Sequence, residues 1–380
     1  MSAGLYIHVP FCRNKCLYCD FYTGGSRIAD WQKYVTAIKN ELHTRRNELN
    51  EEVSTLYIGG GTPSLIPSEN FTDLIKDIQS ITGKKEWDEF TIEVNPEDVT
   101  PEKISIWKDL GVNRVSVGVQ SFNDKELKVI GRKHSAREAL EAMALLAKNF
   151  HNLSIDLMFG LPGQTIESYR NTLEYLNKIK PQHVSLYSLM LEEGTAMTHL
   201  VNNRKVDLPP ESEWLKMFQL SNDFLKSLGF ERYEISNYAL PGCKSIHNYS
   251  YWQGQPYLGL GPGAHSYDGK NTRRANPNDL KGYVKFFSER KEKNNEKKFF
   301  LEEILNEKEL REEFIITRLR TTQGVNLDEF AQKFGEEATN NLFQSSLPFL
   351  NSGELKEVDG FLKFTDKGFL ISDPIMASLI

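Results

Sequence analysis

The chain has 380 residues, of which 39% are hydrophobic and 26% charged, and its formal net charge is −6. This length suits one large domain with a smaller one, and the acidic balance disfavours nucleic acid as a partner. No apolar run approaches the ~20 residues that cross a bilayer, and the opening segment MSAGLYIHVPFC lacks a signal-peptide pattern. We expect a cytoplasmic protein with no membrane span, which leaves peripheral membrane docking open.

Short β-rich runs alternate with segments of helical spacing over the first half of the chain. Six strands are predicted, at 5–9, 55–58, 90–94, 114–119, 153–158 and 183–186. Helical patterns lie between them at about 30–48, 68–81, 101–110, 135–148 and 166–178. The alternation implies parallel strands with right-handed crossovers, in a sheet that is either open and doubly wound or curved into all or part of a barrel.

The second half of the chain predicts a helix, a loop and a terminal module. A helix is expected at about 211–228, and the aromatic, Gly-rich stretch 233–267 shows no period and is interpreted as ordered loop. The charge-dense segment 289–298 suggests two domains, 1–290 and 291–380. Helical patterns at 307–320, 326–335 and 337–351, then a hairpin signal at Asp359-Gly360, predict a winged-helix-like module. Its acidic helices favour a structural or partner-docking role over DNA binding.

Three of the four cysteines form the spacing C-x3-C-x2-C directly after the first predicted strand: Cys12, Cys16 and Cys19. Structural zinc and ordinary ferredoxin clusters take four ligands, and neither a fourth Cys nor a His lies at the expected short spacing. Three thiolates on a four-iron cluster would leave one iron open to an exogenous chelate. The spacing therefore predicts a [4Fe–4S] cluster, with three unpaired structural thiols as the alternative.

Polar and glycine residues follow several of the other predicted strands. The segment from Gly59 to Pro63, GGGTP, comes after the second strand, and Glu93, Gln120 and Asp156 end or follow later ones. Both candidate architectures bring the carboxyl ends of parallel strands to one edge, so we expect these side chains near the cysteine loop. Arg132 could join them, although each residue alone could be a cap or a surface residue.

The cysteine loop, with the aromatic Tyr18 before its last Cys, resembles the radical S-adenosylmethionine superfamily. In that superfamily S-adenosylmethionine chelates the open iron and is cleaved by an electron from the cluster, so the resemblance implies both cofactors and an electron donor. From Tyr6 to about His265, and in the C-terminal module, the chain is similar to the oxygen-independent coproporphyrinogen III oxidase family, which implies a partial (β/α)6 TIM-like barrel. The resemblance assigns S-adenosylmethionine contacts to Tyr6, Tyr18, Gly60, Gly61, Thr62, Glu93, Gln120, Arg132, Asp156, Met190 and His265.

Two features resemble the haem-chaperone branch of that family, the HemW branch. The oxidases carry a further cysteine two residues past the third, where this chain has Phe21. The segment HNYSYW matches the branch's HNxxYW motif, and the resemblance assigns haem binding to His247, Asn248, Tyr251 and Trp252. Imidazole can ligate haem iron while aromatic rings stack on the porphyrin. A packed aromatic loop with a hydrogen-bonded His is the alternative, and nearby Cys243 is either inert or able to affect haem attachment.

Three functions are consistent with these features. The resemblance implies a haem chaperone that delivers haem to an acceptor protein, with the cluster and S-adenosylmethionine governing assembly or release. The alternative is an enzyme that decarboxylates the propionates of coproporphyrinogen III by radical abstraction, which Phe21 argues against. A third reading is a metal-stabilised fold whose cluster has no redox role.

Overall fold

The computed structural model describes residues 2–24, 30–48, 52–288 and 299–380. Six parallel strands pair in chain order: β1 (Ser2–Val9), β2 (Glu52–Gly60), β3 (Glu89–Val94), β4 (Arg114–Gln120), β5 (Leu153–Phe159) and β6 (His183–Ser188). The helices that connect them are α1 (Trp31–Arg45), α2 (Ser68–Thr82), α3 (Pro101–Asp109), α4 (Asp124–Val129), α5 (Ala136–Ala147) and α6 (Ile166–Ile179). The predicted α/β class is confirmed, and only the short α4 was missed, because six residues are too few to show a helical period.

Alternation along the strands separates an apolar face from a polar one. Leu5, Ile7 and Val9 of β1 are fully buried, and the apolar row continues across the sheet as Ile7 pairs with Ile58 of β2, which pairs with Ile92 of β3. The intervening positions carry the polar side chains, such as Tyr57 of β2, which pairs with Thr91 of β3. Successive side chains on a strand point to opposite faces, so one face packs on the helices and the other faces the barrel interior.

The sheet extends past both edges of the six-stranded core. On one side lie β9 (Tyr257–Leu260), β10 (His265–Tyr267), β11 (Thr272–Ala275) and β12 (Leu301–Ile304), and on the other lie β8 (Asn237–Ala239) and β7 (Glu231–Arg232). Among the described residues the ladder runs from β12 to β7 without its ends pairing, so the barrel is partial. The loop interpretation of 233–267 is wrong, because that stretch also contains α9 (Ile246–Trp252). These elements are too short to give a period.

The C-terminal module has its own core. The remaining helices are α7 (Ala196–Asn202), α8 (Glu211–Ser227), α10 (Leu280–Ser288), α11 (Glu307–Leu319), α12 (Leu327–Phe334), α13 (Glu336–Ser352), α14 (Asp366–Leu370) and α15 (Ser372–Leu379). The strands β13 (Val325–Asn326), β14 (Leu355–Val358) and β15 (Phe361–Phe364) form a separate three-stranded sheet. Phe314, Phe330 and Leu362 are among the buried residues that join helices to sheet. The predicted helices and hairpin of this module are present.

The C-terminal module packs against the barrel near α9. The Arg273 guanidinium of β11 donates two hydrogen bonds, 2.6 and 2.7 Å long, to the Glu313 carboxylate of α11, and Glu234 and Thr321 form an isolated antiparallel bridge. The predicted domain boundary at 290/291 and the charge-dense segment 289–298 lie outside the described residues. None of the described helices is long and apolar enough to cross a membrane.

Candidate cofactor sites at the two ends of the barrel

A cavity of about 630 Å³ opens at the carboxyl ends of the parallel strands. This volume is typical of sites for small-molecule ligands. Residues from the cysteine loop and from the ends of β2 to β6 line it. They include Cys12, Cys16, Tyr18, Cys19, Phe21, Gly60, Gly61, Thr62, Glu93, Asn95, Ser116, Gly118, Gln120, Arg132, Asp156, Tyr187 and Met190. The edge at which the sequence predicts a site therefore holds the largest concentration of the predicted residues.

The glycine turn after β2 lies directly against the cysteine loop. A Cβ atom at Gly61 would stand 2.7 Å from the Phe11 carbonyl oxygen and 3.0 Å from Cys12 Sγ, so only glycine fits there. Thr62 Oγ1 donates a 3.4 Å hydrogen bond to Cys12 Sγ. All three cysteines are partly exposed, and burial raises the pKa of the Cys19 thiol to about 11. A bound metal cation would favour the thiolate form.

The three thiols of the cysteine loop line the same cavity. No three His, Cys, Asp or Glu side chains in the described part of the chain could together hold one metal ion. The thiols of Cys12, Cys16 and Cys19 instead lie around the wall of one cavity. In a four-iron cluster each cysteine thiolate binds a different iron, so three cysteines on one cavity suit a cluster with one iron left open. The residues present therefore fit the predicted group.

Arg132 brings a positive charge beside the thiols. Its Nη1 lies 3.6 Å from Cys16 Sγ, and its Nη2 donates to Asn95 Oδ1 at 2.8 Å and to the Gly118 carbonyl oxygen. Gln120 follows Gly118 across an irregularity in the pairing of β4 with β5 and has a φ of 68°. A non-glycine residue in this left-handed region is uncommon, and such conformations cluster at functional sites.

Two half-buried carboxyl groups face the cavity. Glu93 accepts hydrogen bonds from Tyr57 Oη at 2.7 Å and from the Gly60 amide at 3.0 Å, and burial raises its pKa to about 7. Asp156 accepts a 3.1 Å hydrogen bond from Ser116 Oγ, and burial also raises its pKa. A cationic ligand group would stabilise the ionised form of both carboxyls. The cavity therefore combines the three thiols with the Arg132 guanidinium and the carboxyls of Glu93 and Asp156.

Nine of the eleven residues predicted to contact S-adenosylmethionine line the cavity. The cavity lining, taken over the described residues, does not include Tyr6 or His265. Tyr6 Oη is 3.0 Å from His8 Nδ1, and a Cβ atom at Gly60 would meet the His8 ring at 2.7 Å, so Tyr6 reaches the glycine turn through His8. His265 is exposed on β10, and Met190 is 61% exposed at the cavity mouth.

Several lining residues were missed from the sequence. Asn95 lies two residues past Glu93 in the IEVNP segment and binds Arg132, so its position after a strand was a usable signal. Ser116 and Gly118 precede Gln120 on the same face of β4, and the period of two could have included them. Tyr187 near the end of β6 gave no chemical signal, because a strand-end tyrosine is equally typical of a packed core.

The HNYSYW segment lies at the opposite end of the barrel and forms α9. His247 is fully buried; its Nδ1 is 2.7 Å from Thr55 Oγ1 and its Nε2 is 2.7 Å from Tyr251 Oη. Its ring stacks on Tyr57 with the centroids 5.1 Å apart. Burial lowers the pKa of His247 to about 3, so the imidazole is neutral.

Local and distant contacts explain why this segment is helical. Ser245 begins the helix as its N-cap, and its Oγ accepts from the Asn248 amide at 3.3 Å. Glu89, the first residue of β3 and 1% exposed, accepts from Ser245 Oγ at 3.0 Å and from the Ile246 amide at 2.7 Å. A carboxylate at a helix N-terminus satisfies free amides and complements the helix dipole.

The haem role of this motif stays a prediction. In this conformation both ring nitrogens of His247 have hydrogen-bond partners, so iron ligation would require α9 or the His247 side chain to move. Tyr251 is one of those partners, and the Trp252 ring lies under the guanidinium of Arg320, 4.7 Å from its Cζ. The arrangement matches the alternative reading of a packed aromatic segment with a hydrogen-bonded His.

The sequence of the barrel places the chain in the radical S-adenosylmethionine superfamily. Residues 6–176 match the sequence model of the radical SAM superfamily, and residues 305–371 match that of the HemN C-terminal domain. The solved structure of coproporphyrinogen III oxidase (HemN) from Escherichia coli, described as a radical SAM enzyme, aligns with a TM-score of 0.83. It is 22% identical, and the alignment covers 100% of this chain and 90% of that one. The predicted partial barrel and C-terminal module are thereby confirmed as a fold.

Nearly full-length relatives then identify the family. The heme chaperone HemW of Bacillus subtilis is 33% identical over 379 residues, which are 99% of this chain and 98% of that protein. HemW of Lactococcus lactis is 33% identical over 99% of this chain and 96% of its own length. The mitochondrial radical S-adenosyl methionine domain-containing protein 1 of Danio rerio is 31% identical over 98% of this chain and 84% of its own length. The chain belongs to the HemW family, as the sequence predicted from Phe21 and HNYSYW.

Proposed function

We propose that this protein is a haem chaperone, which binds haem and transfers it to an acceptor protein. The observation that carries the proposal is the near full-length similarity to proteins named heme chaperone HemW. The superfamily match itself implies a [4Fe–4S] cluster and S-adenosylmethionine as cofactors. The partly exposed thiols of the cluster loop suit a reducing compartment such as the cytoplasm.

We assign the cluster to Cys12, Cys16 and Cys19, which leaves one iron for S-adenosylmethionine. When bound and reduced, the cluster supplies an electron to the sulfonium of S-adenosylmethionine. Arg132, 3.6 Å from Cys16 Sγ, offsets negative charge on the thiolates. Gly61 lets the backbone approach the cluster, and Thr62 donates a hydrogen bond to Cys12 Sγ.

The cavity-lining residues predicted from the sequence are proposed to hold S-adenosylmethionine. They are Tyr18, Gly60, Gly61, Thr62, Glu93, Gln120, Arg132, Asp156 and Met190. Glu93 and Asp156 accept hydrogen bonds from the cationic end of the ligand, because their carboxyls line the cavity from β3 and β5. Tyr6 acts through His8, which packs on Gly60, and His265 keeps the assignment that the family resemblance gives it.

Haem is proposed to bind the HNYSYW segment through His247, Asn248, Tyr251 and Trp252. The chemical support is a neutral imidazole, the form that ligates iron, among aromatic rings that can stack on a porphyrin. His247 must first exchange its hydrogen bonds to Thr55 and Tyr251 for the iron. The electron donor to the cluster and the haem acceptor are protein partners that this proposal requires.

Haem titration of the reconstituted protein tests the proposal. The His247→Ala variant should bind haem at least about tenfold more weakly and lose the Soret shift of the wild type. His199→Ala provides the control, because His199 is exposed on α7 and should leave both properties unchanged. Indistinguishable spectra and affinities for wild type and His247→Ala would remove His247 as a ligand.

Coproporphyrinogen III oxidase activity is the alternative that the shared HemN fold leaves open. We expect no protoporphyrinogen at a catalytic rate in an anaerobic assay with reductant and S-adenosylmethionine. The reason is that Phe21 stands where the oxidases have a further cysteine. Turnover of coproporphyrinogen III in that assay would overturn the chaperone proposal in favour of the enzyme.

A further inference from the structure

Charged side chains from other elements form hydrogen bonds with both ends of the HNYSYW helix. Glu89 of the barrel accepts from the Ser245 hydroxyl and the Ile246 amide at its N-terminus. Arg318 of α11, in the C-terminal module, donates to the carbonyl oxygen of Trp252 and, at 3.1 Å, to that of Gln253. Carbonyls at a helix C-terminus lack intrahelical partners, and a guanidinium both satisfies them and complements the negative end of the helix dipole.

Arg318 is itself held in place by the C-terminal module. Its Cζ lies 4.8 Å from the centroid of the Phe314 ring, and its Nη2 is 3.7 Å from Glu329 Oε1. Its side chain is 11% exposed, so little water competes for its hydrogen bonds. A guanidinium fixed by its own module acts as a rigid clamp on the helix carbonyls.

Two further contacts join the same module to the helix. Arg320 places its Cζ 4.7 Å from the centroid of the Trp252 ring, and Tyr249 Oη donates a 3.0 Å hydrogen bond to Gln323. Residues 318–323 thus contact two positions of α9 and the residue after it, whereas His247 of the same helix faces Thr55 and Tyr57 of the barrel. The helix is held between the barrel interior and the C-terminal module.

The segment that carries the helix is anchored outside it. Upstream, β8 pairs with β6, and downstream, β9 pairs with β1, so both flanks belong to the sheet. Between these strands and the helix stand Gly242 with a φ of 80° and Gly254 with a φ of 62°. Glycine changes backbone conformation at low cost, so a rotation of α9 between these two positions would leave the sheet intact.

We propose that the C-terminal module is a latch on the HNYSYW helix, and that release of Arg318 from the last carbonyls of α9 exposes His247 to haem. The identity of the ligand rests on the proposed function, whereas the latch itself does not. If a site is accessible only in the unlatched state, its apparent association constant is the intrinsic constant multiplied by the fraction of molecules that is unlatched. Weakening the latch should therefore strengthen haem binding.

Arg318→Met tests the latch without haem. Hydrogen–deuterium exchange of the amides in 247–254 should be about tenfold faster in this variant, because a hydrogen bond from a charged donor is lost at the helix end. Arg311→Met, on the same helix, removes one positive charge and should leave this exchange unchanged. Arg318→Lys, which keeps the charge with fewer donors, should lie between. Unchanged exchange in Arg318→Met, or faster exchange throughout the barrel, would overturn the latch.

Haem binding supplies the second arm of the test. The reconstituted Arg318→Met protein should bind haem about tenfold more tightly than the wild type, with most of the change in the association rate. In the double variant with His247→Ala this gain should vanish. Wild-type protein that binds haem with an affinity equal to that of Arg318→Met would also overturn the latch. If no variant binds haem, the proposed function fails while hydrogen exchange still decides on the latch.

Discussion

The two ends of this barrel differ in how ready they are for a ligand. At the carboxyl end a cavity of about 630 Å³ presents three partly exposed thiols, and Phe21 and Met190 at its mouth are 60% and 61% exposed. At the other end His247 is fully buried and both ring nitrogens are hydrogen-bonded. The carboxyl end is thus an open end that presents a cavity to a ligand, whereas the opposite end is a closed end, where His247 must first exchange internal contacts for a ligand.

The polar interior of the barrel nevertheless connects the two ends. The Tyr57 ring stacks on His247, and the Tyr57 hydroxyl donates to Glu93, which lines the cavity. Glu93 in turn accepts from the Gly60 amide of the glycine turn. A single buried tyrosine therefore contacts a residue of each proposed site. A conformational change at one site can reach the other through this one side chain.

The largest expected effect is the loss of the cluster in Cys12→Ala. Anaerobic reconstitution of this variant should incorporate almost no iron, because two remaining thiolates cannot hold a four-iron cluster. Cys243→Ala, which lies outside the cavity lining, should load iron like the wild type. Iron counting and electron paramagnetic resonance measure the result. Full iron content in Cys12→Ala would contradict the ligand assignment, and an unchanged S-adenosylmethionine response without iron would favour a purely structural cluster.

At the closed end, where His247 is enclosed, we expect an effect on the free energy of unfolding. His247→Ala should lower the free energy of unfolding by about 3 kcal/mol, because it leaves a cavity and removes the partners of Thr55 and Tyr251. Denaturant unfolding of the protein without cofactors measures this change. His265→Ala provides the contrast, since an exposed histidine should shift stability by less than about 0.5 kcal/mol. Equal stabilities for the two variants would mean that His247 is not packed as described.

The neutral, buried imidazole also predicts a pH dependence. Because the pKa of His247 is about 3 in the folded chain and near 6.5 when unfolded, its stabilising contribution is complete above pH 6.5. As the pH falls below 6.5, the unfolded chain binds a proton that the folded chain does not. The free energy of unfolding should then fall by about 1.4 kcal/mol per pH unit. The wild type minus His247→Gln difference, measured at pH 6 and 5, should show this slope, and parallel curves would contradict it.

The open end was more predictable from the sequence than the closed end. The strands β1 to β6 have apolar residues at alternate positions, and the topology of parallel strands places Glu93, Gln120 and Asp156 at one edge. That prediction needs only local periodicity and one rule of fold geometry. The same pattern did not predict the positive φ of Gln120, because the sequence shows no glycine or turn signal at that position.

At the closed end the decisive contacts are distant in sequence. Glu89 caps a helix that begins more than 150 residues later, and Arg318 binds a carbonyl more than 60 residues earlier. The helix α9 has only seven residues and depends on those contacts, so its own composition suggested a loop. The motif resemblance could identify a candidate haem ligand, but it could not show that His247 is enclosed.

A smaller effect is expected at the cavity, in the pH dependence of S-adenosylmethionine binding. Burial and the nearby Asp156 carboxyl raise the pKa of Glu93 to about 7, although Tyr57, the Gly60 amide and Arg114 oppose the shift. If ionised Glu93 accepts from the cationic ligand, affinity should rise about eightfold from pH 6 to 7.5, because the ionised fraction rises by that factor. Glu93→Gln should bind more weakly with a flat profile. Anaerobic calorimetry on the cluster-loaded protein measures both, and a flat wild-type profile would contradict this role.

The smallest effect is expected for Phe21→Cys, which recreates the residue found in the oxidases. The Phe21 side chain is 60% exposed, and the hydrogen bond that Lys15 makes here goes to the Phe21 backbone carbonyl, which the substitution retains. The free energy of unfolding should therefore change by less than about 0.5 kcal/mol. Iron content should also stay at the wild-type value, because the substitution leaves the three proposed cluster ligands unchanged. A gain of protoporphyrinogen formation in this variant would show that this position alone separates the two activities, and that the open end of the barrel, rather than the enclosed histidine, decides function.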